Sequence, residues 1–426
     1  MRNHIVGLMS AVVVVCFLTG CPATPPVQPH GVGFGGGLYL LRAFHDSQRA
    51  DSIVELAAEA GIRWSREEFH WEWIEPEQGV QDSDTLKRYD RSVDSLRSHD
   101  ISILGLLAYD TPWSAGVNAP ATDAERADYA RFAASMVNRY RDSVHYWEVW
   151  NEPNGDHFWP PECNPQAYAA LLRTAYAAIK QADPSAMVVG CAASGVDLNF
   201  IRAVLDAGGG ACMDVLSIHP YSGNKSTDVS GERQDIRKLR ALLAEYGLTL
   251  PIWVTEVGFQ TSTNDNGVSE AEQGDMLARS YLTLFAEGID VVINYDFVDD
   301  GTNPADGEQN FGVLRQDLSP KPAYNALAAT ALLLDGAKFV WSVPLAPFVE
   351  AFEFSLPDGR QVWALWTRKP NGPLGLGLLD VPEVNLPVSG TIERITDLYG
   401  HVLPSPPSGS TRITPTQDPI FVTVTP

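Results

Sequence analysis

Tyr146-Trp147-Glu148-Val149-Trp150-Asn151-Glu152-Pro153-Asn154 opens with residues that favour a half-buried strand and stops at a proline, with an asparagine and a glutamate at its carboxyl end. Outward from it in both directions, similar short apolar runs recur at 33–40, 62–65, 101–107, 144–150, 186–190, 215–219, 252–256 and 291–297. Between them lie longer amphipathic stretches, such as 126–139, 166–181, 232–246 and 270–287. Strands alternating with helices imply a parallel sheet, and eight strands match the count of a (β/α)8 TIM barrel. A doubly wound nucleotide-binding sheet would alternate in the same way. The glycine-rich segment 33–37, however, lacks the spacing of a phosphate-binding turn.

The pattern changes after Pro320 and Pro322. One more helix is expected at 323–334, followed by short alternating strands at 348–354, 361–367, 391–397 and 419–424 separated by Gly and Pro turns. This reads as a small C-terminal β-sandwich, with the barrel spanning 33–336 and the sandwich 337–426. Without an obvious row of exposed aromatics, the sandwich is expected to buttress the barrel's flank rather than bind sugar by itself.

The chain has 426 residues, 45% of them hydrophobic, enough for a full core. A net charge of -23 disfavours nucleic acid and anionic membrane surfaces, since a field of that sign repels both. At the N-terminus, Arg2 and His4 precede an apolar run over 5–18 that is short for a membrane span and reads as a signal peptide. The run ends in Leu18-Thr19-Gly20-Cys21, which resembles the lipobox of bacterial lipoproteins. That resemblance implies removal of the leader 1–21 up to Cys21, a lipid on the Cys21 thiol, and an extracytoplasmic chain anchored in the periplasm or on the cell surface. The prolines at 22, 25, 26 and 29 suit a stiff tether over 22–32. Three cysteines remain, Cys163, Cys191 and Cys212, of which only Cys163 and Cys191 are expected near enough to bridge.

In a barrel, reactive groups project from the carboxyl ends of strands. Two glutamates stand there: Glu152 after the fourth strand, and Glu256 in Ile252-Trp253-Val254-Thr255-Glu256-Val257-Gly258 at the end of the seventh. Strands four and seven face one another across the mouth. Cleaving a glycosidic bond requires one carboxylic acid to protonate the leaving oxygen and one carboxylate on the opposite face, which such a pair supplies. Sequence spacing alone leaves open whether the carboxyls stand at the separation for retention or for inversion.

Arg66, Trp150-Asn151-Glu152-Pro153, His219-Pro220-Tyr221 and Thr255-Glu256, in this order after strands two, four, six and seven, resemble the glycoside hydrolases of clan A. The resemblance is to family-39-like members and related bacterial exopolysaccharide hydrolases, and it covers 33–334. It implies a retaining mechanism with Glu152 as acid/base and Glu256 as nucleophile. These families often carry a tryptophan near the end of strand eight, where Ile293-Asn294-Tyr295-Asp296-Phe297 stands here. The expectation is that Asn294 aligns with it and that Tyr295 substitutes.

The neighbouring side chains have physical jobs available. Asn151 can bind the sugar 2-hydroxyl, or serve only as a turn residue before proline. Arg66 can hold Glu256 ionised, pair with Glu148, or do both, while a less polar setting is expected to raise the Glu152 pKa. Tyr221 can donate to the nucleophile, and His219 to a sugar or a neighbour. Trp113 and the Phe158-Trp159 pair are candidate sugar platforms, with core packing as the alternative for each. The polar segments 221–232 and 260–270 are expected to line the cleft.

No histidine, cysteine and aspartate cluster has metal-ligand spacing, and no serine lies in a nucleophile elbow, so cofactor-free chemistry on an oligo- or polysaccharide is expected, by a monomer. Transglycosylation by the same two glutamates, and a non-catalytic glycan-binding lipoprotein, are the competing readings.

Overall fold

The computed structural model describes residues 31–43, 46–116, 118–368 and 383–426; the leader, Cys21 and most of the proline-rich tether lie outside them. Strands β1 (Gly33–Gly36), β2 (Trp64–His70), β3 (Ser102–Ala108), β4 (Tyr146–Val149), β5 (Met187–Ser194), β6 (Val215–His219), β7 (Ile252–Val257) and β8 (Val291–Asn294) close in sequence order into a parallel barrel. Helices alternate with them, and their starts are chemically marked. Thr122 with Glu125 and Ser269 with Glu272 form capping boxes, and Asn164 caps a helix that begins on Pro165. Among the described residues no helix is long and apolar enough to cross a membrane.

Strand alternation stacks the interior in layers. The lowest is apolar, built from Trp64, Leu104, Tyr146, Val189, Val215, Trp253, Val291 and Ile293. Two residues further along β2, β4, β6 and β7 stand Arg66, Glu148, Ser217 and Thr255, and the barrel turns polar. This layer is the floor of the site. Strand β2 runs on to His70, whereas the sequence reading ended it at 65, so Arg66 lies within the strand rather than after it. Its consecutive Arg-Glu-Glu had the look of a loop, yet alternation sends Arg66 and Glu68 to the mouth, while Glu67 accepts from the Leu40 backbone N–H (2.9 Å).

The C-terminal part comprises β9 (Lys338–Ser342), β10 (Val349–Ser355), β11 (Gln361–Thr367), β12 (Val384–Asn385), β13 (Thr391–Thr396), β14 (Val402–Leu403), β15 (Arg412–Ile413) and β16 (Ile420–Thr425). Six of these form an antiparallel sheet in the order β14-β13-β16-β11-β10-β9, and β12 pairs with β15 in a second sheet. Along β10, β11 and β16 both faces of the large sheet are covered. Ala351, Trp363, Leu365 and Val422 pack with Val384 and Ile413 of the small sheet, while Phe352, Phe354, Val362, Ala364 and Trp366 join the barrel's own core. This is why β11 carries a continuous apolar run, Val362–Trp366, where an alternating strand was expected.

A polar clamp reinforces the junction. Trp366 Nε1 (2.9 Å) and Arg279 (2.6 Å) both donate to the buried Asp228 carboxylate. Burial alone would raise Asp228, but the Arg279 charge outweighs it and holds the group below its usual value. Asp228 sits on the loop that begins at Tyr221, so the sheet anchors a loop that reaches the barrel mouth.

Cys163, Cys191 and Cys212 are all free thiols, so Cys163 and Cys191 form no bridge. Cys191 is buried within β5, and burial pushes its thiol up to about 12. Cys163 lies on the loop after β4, where its backbone N–H donates to Asp156. Cys212 is free as expected.

Candidate active site

The end of β4 is strained. Trp150 (φ 68°) and Glu152 (φ 42°) both occupy the left-handed region, which costs a non-glycine residue on the order of 1–3 kcal/mol. Two contacts hold them there: Trp150 Nε1 donates to the Phe158 carbonyl (2.8 Å), and the Glu152 N–H donates to the Ala192 carbonyl (3.0 Å). Ala192 is itself at φ 41° within an irregularity of β5, between Gly190 and Ala193, and that kink sets the acceptor under Glu152. The result turns Asn151 and Glu152 to the mouth.

Strand β7 uses a second irregularity, between Val254 and Val257. Regular alternation would send Thr255 and Glu256 to opposite faces. Here the Thr255 hydroxyl reaches Glu148 (2.9 Å) in the polar layer, and Glu256 still reaches the mouth. Gly258 then passes against the next strand end, where an added Cβ would lie 1.7 Å from the Tyr295 carbonyl. Only glycine fits this approach.

These elements converge on one network. Arg66, almost wholly buried, donates Nε to Glu148 (2.6 Å) and Nη2 to Asn151 Oδ1 (2.8 Å), and its Nη1 contacts Glu256 Oε1. The pairing with Glu148 and the pairing with Glu256 both exist. Tyr221 donates to Glu256 Oε2 (2.7 Å); burial, then the adjacent carboxylate charge, pushes its phenol well above the ordinary value, so it remains a donor. His219 Nδ1 lies 2.9 Å from Glu152 Oε1, and its Nε2 lies 3.0 Å from the Thr255 hydroxyl.

One oxygen each from Glu152 and Glu256, with a nitrogen of His219, lie within 4.8 Å of one another. The trio has the size of a metal site. Each Glu256 oxygen already accepts one hydrogen bond, from Arg66 or Tyr221, and both His219 nitrogens face partners.

The electrostatics correct one expectation. Burial would raise the Glu152 pKa, but the hydrogen bond and charge of His219 outweigh it and leave the carboxyl below its ordinary value. Nearby Glu68 is brought down to about 2, since the His70 hydrogen bond and Arg42 overcome its desolvation.

A cavity of about 590 Å³ covers the pair, lined among others by Arg42, Glu68, Asn151, Glu152, Tyr221, Glu256 and Tyr295. Tyr295 lies in the wall, edge-on to Phe311 (5.4 Å) and Tyr39 (5.8 Å). Asn294 is buried, donating to the Asp296 carbonyl (2.6 Å), so the aromatic surface at the end of β8 comes from Tyr295.

Trp113 and Trp159 do not line this cavity. Trp113 donates to the Glu75 carbonyl (2.8 Å) and packs edge-on to Trp71, and Trp159 is buried against Trp150 and Tyr168. Gln260 and Asn266, from the segment expected to line the cleft, stand in the wall, whereas sequence reading missed Arg42, Glu68, Tyr109, Glu308 and Phe311 there. Glu68 was reachable by counting two from Arg66; Glu308 and Phe311 lie on the loop after β8, where no periodicity marks them.

The family model described as the glycosyl hydrolase catalytic core matches residues 122–297, which include both glutamates, and together with the closed eight-stranded parallel barrel it makes the protein a glycosidase. The chain is similar to the solved structure of a family 39 glycoside hydrolase from the gut symbiont Bacteroides cellulosilyticus WH2. Identity is 26%, coverage is 94% of this chain and 82% of that one, and the TM-score is 0.78. A monomeric β-xylosidase from Caulobacter crescentus CB15 aligns over 95% of this chain and 98% of its own, at 17% identity and a TM-score of 0.64. A glucosidase from Croceicoccus marinus aligns over 94% and 95%, at 17% identity and a TM-score of 0.65. At 17% identity these last two speak for the fold alone. No curated protein sequence matches the chain.

Proposed function

We propose that the protein is a retaining glycosidase that cleaves a β-linked oligo- or polysaccharide by double displacement, with Glu256 as nucleophile and Glu152 as acid/base. The observation that carries this reading is the approach of the two carboxylates to within 4.8 Å across one cavity. Retaining enzymes hold their carboxyls about 5–5.5 Å apart, and inverting enzymes leave about 6.5–9.5 Å for a water. The β-linkage follows the resemblance of the motifs around Arg66, Glu152, His219 and Glu256 to clan A hydrolases.

The assignment of roles follows from the donors. Glu256 accepts from the Arg66 guanidinium and the Tyr221 phenol, donors that fix both of its oxygens at the mouth as a nucleophile requires. It attacks the anomeric carbon while Glu152 gives its proton to the departing oxygen. Water then gives a proton back to Glu152 and displaces Glu256. Asn151 Oδ1 is taken by Arg66, which leaves the amide N–H groups to donate to the sugar 2-hydroxyl.

A proton count supports the acid role. The Thr255 hydroxyl spends its hydrogen on Glu148, so it accepts from His219 Nε2–H. The Nδ1–Glu152 contact then holds one shared proton, either on the carboxyl or on the ring. The pair stores the proton that the first step needs.

Incubation with a panel of 2-deoxy-2-fluoro β-glycosides tests this reading, with peptide mass spectrometry as the readout. A fluoroglycosyl ester on Glu256 is expected, absent from Glu256→Gln. Glycan binding without adduct or turnover would sink the enzyme mechanism in favour of a binding role.

We also propose that Cys21 carries a lipid and tethers a monomeric enzyme outside the cytoplasm, a reading supported by the sequence of residues 5–21 alone. On expression with its leader in a bacterial host, the wild type should partition into detergent phase and Cys21→Ser into the aqueous phase; equal partitioning would refute the anchor.

A further inference from the structure

Beyond the catalytic cavity the cleft continues to one side. A second cavity of about 280 Å³ shares Tyr109, His157 and Phe158 with the first and adds Trp150, Asn118 and Pro160. A third, of about 630 Å³, shares Asn118 and Pro160 with the second. The three form one path from the barrel mouth outward over the loops that follow β3 and β4.

The direction of that path has chemical meaning. The attacked sugar lies over Glu256, on β7, beside Tyr221 and Tyr295. Glu152, on β4, protonates the oxygen that departs, so the leaving group lies on Glu152's side. That is the side on which the second cavity opens. We propose that this cavity, walled by Tyr109, Phe158 and Asn118, is the subsite for the leaving-group sugar, and that the substrate is a chain with further sugars on that side rather than a glycoside of a small alcohol. The proposal rests on the double-displacement reading above.

The wall has the chemistry for a sugar. Tyr109 and Phe158 stack at 5.8 Å with 19° between their planes, and each ring is only partly buried. Their frame is rigid: Trp150 stands edge-on to Tyr109 (5.7 Å) and fixes the Phe158 carbonyl through its Nε1. Flat rings held in place suit the apolar face of a pyranose at little entropic cost. The exposed Asn118 side chain makes no hydrogen bond among the described residues, so its amide is available to sugar hydroxyls. Continuity with the catalytic cavity through three shared residues commits the site to the substrate itself.

The test compares two substrates that share the attacked sugar and differ in what leaves. β-1,4-linked xylo-, gluco- and manno-hexaoses are assayed beside the β-fluorides of the same three sugars, with the protein, Phe158→Ala and Asn118→Ala. Fluoride places nothing in the second cavity. The expected result is hydrolysis of both members of one pair, with kcat/KM in Phe158→Ala falling about tenfold further on the hexaose than on the fluoride, and a smaller differential fall in Asn118→Ala. Equal falls on both substrates in both variants would overturn the subsite, as would turnover of a fluoride without its hexaose. Failure of the wild type on every fluoride and hexaose would overturn the double-displacement reading, and the subsite with it.

Discussion

Glu256→Gly should lose about 10⁴-fold or more in kcat/KM on any β-glycoside that the protein cleaves, and added azide should restore turnover as the α-glycosyl azide. Removing the carboxylate leaves a hole on the face opposite the leaving group, large enough for a small anion. Arg66 and Tyr221, the donors that held the carboxylate, still point there. Azide therefore attacks once, with inversion. Glu152→Ala should behave differently. With a dinitrophenyl leaving group, which needs no proton, the first step survives and the glycosyl-enzyme accumulates. With a sugar leaving group the rate should fall about 10²–10⁴-fold. Azide then enters from the Glu152 side in the second step and gives the β-azide. The anomer read by proton NMR assigns each glutamate to a face. Azides of the same configuration from both variants, or rescue of neither, would contradict the roles assigned above.

The barrel was legible because alternation of strand and helix is a property of consecutive residues, and eight repeats of it leave few architectures. The two glutamates were legible for a related reason: each ends an apolar strand, where a charged group at the barrel mouth has few structural explanations. What lay outside the reading depends on departures from regularity. The run Arg66-Glu67-Glu68 looked too charged for a strand, because a sequence gives no sign that two of these side chains meet partners inside a barrel. The kinks in β5 and β7 likewise have no local signature, yet they aim Glu152 and bring Thr255 and Glu256 together. The expectation for the Glu152 pKa failed for a comparable reason. Burial was foreseeable, but the 2.9 Å contact with His219, sixty-seven residues away, was not. Trp113 and Trp159 were judged by position after a strand, and position does not say whether a ring turns toward the mouth or back under the loop.

Replacing Arg66 should test how far catalysis and folding depend on the same group. Glu148 is fully buried and takes Arg66, Ser217 and Thr255 as its donors. Arg66→Met leaves that charge without a cation, a change that typically destabilises by about 3–5 kcal/mol and should lower Tm by roughly 5–15 °C. It also removes the cation beside Glu256, and kcat/KM should fall about 10²–10³-fold. Arg66→Lys keeps a charge but offers one compact ammonium where a fork spans Glu148, Asn151 and Glu256, so it should recover part of the stability and little of the rate. The informative variant is Arg66→Met combined with Glu148→Gln. Neutralising the buried partner removes the uncompensated charge while keeping an acceptor for Ser217 and Thr255, so thermal unfolding should return most of the way to wild type. Activity should stay low, because Glu256 still lacks its cation and Asn151 its anchor. If activity returned together with stability, Arg66 would serve the core alone, and the positioning of Glu256 would have to be credited to Tyr221 and the cavity itself.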